Sequence, residues 1–106
     1  MTGQALPIAC LLPEAEQAAR REQVVKALFA AVRQVRELPD GYGLEFPGEA
    51  EWMLRLAEFV AFERACCPFF TFELMCEPEQ GPIWLNWRGP EGAKEMLRTE
   101  LEESFP

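Results

Sequence analysis

Phe62-Glu63-Arg64-Ala65-Cys66-Cys67-Pro68-Phe69-Phe70-Thr71-Phe72-Glu73-Leu74 changes its hydrophobic period in the middle. Upstream, Trp52, Leu56, Phe59 and Val60 recur at three- and four-residue steps, and Glu63 and Cys67 continue that line. This spacing predicts a helix from about Glu49 to Ala65 or Cys66. Pro68 ends it, because proline lacks the N–H the next turn needs and drives the preceding residue towards extended backbone. Downstream, Phe70, Phe72, Leu74 and Cys76 alternate, the pattern of a strand with one buried face.

The same two periods organise the flanks. Ala18, Val25, Leu28 and Phe29 share a helical face, with Pro13 in the first turn and the end near Ala30. Val32–Leu38 reads as a strand, Pro39-Asp40-Gly41 as a turn, and Tyr42, Leu44 and Phe46 as the inward face of a second strand. Pro78–Pro82 turns the chain again before Ile83, Leu85 and Trp87. Gly89-Pro90-Glu91 starts a last helix with Ala93, Met96, Leu97 and Leu101 facing in. Helix, hairpin, helix, hairpin, helix (α-β-β-α-β-β-α) predicts an α+β two-layer sandwich. Its antiparallel four-stranded sheet is built of two hairpins and carries helices on one face. The strand order stays open. With 106 residues, residues 1–106 read as a single domain.

Composition narrows the function. The formal net charge of −8 disfavours phosphate backbones and anionic membranes, so no nucleic acid and no membrane partner is expected. Neither a basic n-region nor a sustained apolar run opens the chain, which points to the cytoplasm, where thiols stay reduced. There is no histidine, and serine is nearly absent, which excludes a hydrolase triad. Chemistry would fall to thiols and carboxylates.

Four cysteines are present. Cys66 and Cys67 set two sulfurs side by side, and thiolates are preferred by soft or borderline ions: Hg(II), As(III), Zn(II) or Cu(I). Against this stands the ordinary fate of a cysteine as a small buried apolar side chain. The end of a helix and the nearby Glu63 both disfavour a free thiolate, so a thioredoxin-like role is not expected and no Cys-x-x-Cys occurs. A bound metal removes the thiol proton itself. A vicinal disulfide is not expected, given the short spacing of neighbouring Cα atoms. Cys10, in an irregular segment before the first helix, is a candidate third sulfur, and Glu63 a fourth or outer ligand. Cys76 reads as core.

The Glu63–Leu74 segment resembles the E-R-x-C-C-P-F-x-x-F-x-L signature of a family of small, largely uncharacterised bacterial proteins. Ala9-Cys10 to Arg20 is similar to that family's N-terminal pattern. The resemblance implies association with mercury and other soft-metal resistance and carries over to Cys10, Glu63, Cys66 and Cys67. The first expectation is therefore a cytosolic soft-metal-binding protein, which could form a homo-oligomer. A second is a thiol/carboxylate enzyme acting on organometal or thiol-reactive substrates, with Glu63 as the candidate proton donor. A third is a non-catalytic interaction domain with structural cysteines.

Overall fold

The computed structural model describes residues 15–104; Cys10 and Pro13 lie outside them. The elements are α1 (Ala15–Ala30), β1 (Gln34–Leu38), β2 (Gly41–Phe46), α2 (Ala50–Cys66), β3 (Thr71–Cys76), β4 (Ile83–Arg88) and α3 (Ala93–Ser104). This is the α+β order read from the sequence. The strands form one antiparallel sheet in the order β1-β2-β4-β3. Both hairpins are local, and they meet through β2 and β4, so β1 and β3 become the two edges.

Register fixes which side chains share a face, because strand side chains alternate. Tyr42 pairs with Trp87, Leu44 with Leu85 and Phe46 with Ile83. All six are buried and join Val25, Leu28, Phe29, Leu56, Phe59, Leu97 and Leu101 from the three helices in one core. Fully burying a side chain of this size contributes about 1.5–3 kcal/mol. Trp87 stands at the centre. Its ring centroid lies 5.4 Å from those of Phe59 and Phe70, 5.6 Å from Phe72 and 6.4 Å from Phe29. Its indole Nε1 has no hydrogen-bond partner among the described residues.

The opposite sheet face is held by polar contacts. The Arg36 guanidinium lies 4.2 Å from the Trp84 ring centroid, and this cover keeps Trp84 buried on the face away from the helices. Arg88 donates from Nε to Asp40 (2.9 Å) and from Nη1 to Glu73 (3.0 Å). That one side chain ties the β1–β2 turn to β3 across β4. Lys94 of α3 pairs with Glu37 at 2.6 Å, fastening the last helix to β1.

Three expectations need correction. The first strand begins at Gln34 rather than Val32; Val32 packs against the core from the connection. Met96 is 37% exposed, on the flank of α3 rather than in its buried stripe. Cys76 is exposed. It continues the inward alternation, opposite buried Ile83, but it ends an edge strand, where no neighbouring strand covers it. Among the described residues no helix is long and apolar enough to cross a membrane.

Gly41 is required by close approach: a Cβ built there would lie 2.0 Å from the Trp87 carbonyl oxygen and 2.8 Å from the Arg88 Cα. Both obstacles are backbone and cannot swing away. Gly41→Ala is expected to cost about 1–3 kcal/mol in urea unfolding, by forcing β2 and β4 apart. A second test concerns pH. The hydrogen bond from Arg88 holds the Asp40 carboxyl below its ordinary value of 3.8. A depressed carboxylate stabilises the fold above its unfolded pKa and loses that contribution as pH falls through the folded value. Stability is therefore expected to drop below about pH 4, and Asp40→Asn to flatten that part of the pH profile in thermal melts.

Candidate thiol site

The end of α2 builds the site. Leu56, Phe59 and Glu63 follow one another along the buried face, and Glu63 is 0% exposed. Cys66 is the last helical residue and Cys67 the C-cap, with φ −128° and ψ 78°. That backbone has left the helical region, which a following proline disfavours. The Cys67 N–H still donates to the Glu63 carbonyl at 2.7 Å, closing the final turn. Phe70 N–H donates to the Cys67 carbonyl at 3.3 Å, so the chain turns tightly around Pro68 into β3.

Both sulfurs are inside. Cys66 is 8% exposed and Cys67 0%. With Phe69 and Ala93 they form a second, smaller core, against which Phe62 and Phe70 pack. The α2 terminus thus meets the start of α3, and Ala93 is anchored there by its N–H to the Pro90 carbonyl at 2.9 Å. Arg64 is the one basic residue in the last turn and points outward, being exposed. The helix end presents carbonyl dipoles to the thiols, which disfavours a free thiolate.

The structure therefore sets Glu63, Cys66 and Cys67 within the last turn and cap of α2. Cys10 lies outside the described residues. Cys67 is disulfide-bonded, while Cys66 and Cys76 are in no disulfide. Adjacent Cys66 and Cys67 are thus not bonded to each other. Among the described residues no group of three or more cysteine, aspartate or glutamate side chains is placed to hold a metal ion. A groove of about 310 Å³ between α1 and α2, lined by Val24, Ala27, Leu28, Trp52, Arg55 and Glu58, includes none of the three site residues.

Comparison of the chain with family models, with curated proteins and with solved structures finds no match.

Burial and bonding order the thiols by reactivity. In unreduced native protein, a bulky aromatic disulfide reagent is expected to label Cys76 within seconds to minutes and Cys66 far more slowly. Cys76→Ser should remove the fast phase. A fast phase that survives this substitution would place the reactive thiol elsewhere.

Proposed function

We propose that the protein is a cytosolic soft-metal-binding protein, in which the reduced thiols of Cys66 and Cys67 are the primary ligands. Cys10 would serve as third sulfur and Glu63 as an outer or fourth donor. The observation supporting this reading is the adjacent pair of buried cysteines at the end of α2, one turn past the fully buried Glu63. Two thiols on consecutive residues give a soft ion such as Hg(II), As(III), Zn(II) or Cu(I) neighbouring donors of the chemistry it prefers. Because no three such side chains are placed to hold an ion among the described residues, a third sulfur from Cys10 would complete a trigonal site. The resemblance to a family associated with mercury and soft-metal resistance points the same way.

Metal and oxidation compete for the same atoms in this scheme. A disulfide-bonded Cys67 offers no thiolate, so binding requires a reductant. Loading then exchanges thiol protons for the ion, which makes affinity rise with pH.

Equilibrium dialysis of dithiol-reduced protein against Hg(II), Zn(II) and arsenite tests the proposal. The wild type should take up about one ion per chain. Cys66→Ser/Cys67→Ser should abolish uptake, and Cys10→Ser should weaken As(III) more than Hg(II), which also accepts two sulfurs. Unchanged uptake in the double variant would leave the cysteines as packing groups of an interaction domain.

A further inference from the structure

We propose that the outer edge of β3, unpaired among the described residues, pairs with β3 of a second copy of this chain, about a twofold axis at Leu74, to make one continuous eight-stranded sheet. β3 is the terminal strand of the sheet. Among the described residues its backbone bonds only to β4, so the outward row of N–H and C=O groups is a template for another strand.

The two edges are not equivalent. β1 carries features that keep edges apart: it bears Arg36 and has Glu37 on the helix side of the sheet, opposite Tyr42. A charge pointing inward is a guard against pairing. β3 has no lysine, no proline and no inward charge. Its one charged residue, Glu73, lies on the outer face and is already engaged by Arg88 at 3.0 Å. Its apolar residues stand half out of the core: Phe72 and Leu74 are partly buried, and Met75 is 39% exposed.

The order of residues is self-complementary. With Leu74 at the axis, Leu74 faces the partner's Leu74 and Phe72 faces the partner's Cys76, so the helix-side faces of both copies coincide. Glu73 then faces the partner's Met75, Phe72–Cys76 of the two copies pair throughout, and Thr71 faces the partner's Glu77, just past the strand. Moving the axis to Glu73 would set two carboxylates face to face. Moving it to Met75 would set Glu73 against the partner's Glu77 and Phe72 against the partner's Pro78, which has no N–H to give. The interface is of the small, transient class rather than an obligate one.

The Glu73–Met75 pairing supplies the test. Met75 is exposed, so both charge signs are tolerated by the monomer, which thermal melts would verify. Met75→Glu places two carboxylates opposite each other twice per dimer; Met75→Lys places an ammonium opposite Glu73 instead. Sedimentation equilibrium of the full chain is run with a dithiol reductant, at about 0.15 M salt and from about 5 to 500 µM. The wild type should show a monomer–dimer equilibrium, Met75→Glu a dissociation constant raised about fivefold or more, and Met75→Lys one unchanged or lowered. A wild type that stays monomeric throughout would overturn the proposal. So would a Met75→Glu variant that associates like the wild type, or two variants weakened alike.

Discussion

Everything in this fold leans on one indole. Trp87 sits in a central strand and touches rings from α1, α2, β3 and the turn after α2. Three of those rings, Phe59, Phe70 and Phe72, bracket the segment that holds the thiols. The geometry of the α2 terminus is therefore set from inside the core. The edge-to-face contacts with Phe59 and Phe70 add about 0.5–1.5 kcal/mol each beyond area burial and are directional, so they fix orientation as well as proximity. Pro68 shapes the turn locally, but the aromatic cluster decides where that turn lies.

Much of this was readable in the residues. Glu63 falls on the line of Leu56 and Phe59, so its burial follows from helical spacing even though its side chain is charged. The switch from helical to alternating period at Pro68 placed α2 and β3 to within a residue or two. What escaped is what depends on contacts between distant segments. The central pairing of β2 with β4 is one such contact, and the exposure of Cys76 follows from it, since an edge strand obeys the same alternation as a buried one. Trp84 is another case: its burial on the outer face comes from Arg36, 48 residues earlier in the chain and two strands away. Periodicity cannot announce a cation–aromatic stack of that kind.

The thiol pair was legible as a feature, and its surroundings were not. Sequence spacing set Cys66 and Cys67 at the end of a helix, as found. It did not foretell that Ala93 and Phe69 would wall them off as a separate small core, or that of the two adjacent cysteines only Cys67 would be in a disulfide. That difference has a structural basis in the helix end itself. Cys66 keeps helical geometry, while Cys67, next to Pro68, has left it, with φ −128° and ψ 78°.

The amide of Cys67 closes the last turn of α2 on the Glu63 carbonyl. One residue thus serves two masters: its nitrogen belongs to the helix and its sulfur to whatever bonds there. Any event that tugs the sulfur is felt as slack or tension in the final coil, which the buried face of α2 conveys toward Phe59 and the indole beyond it. Chemistry at a single atom is geared, through one peptide unit, to the packing of the entire domain.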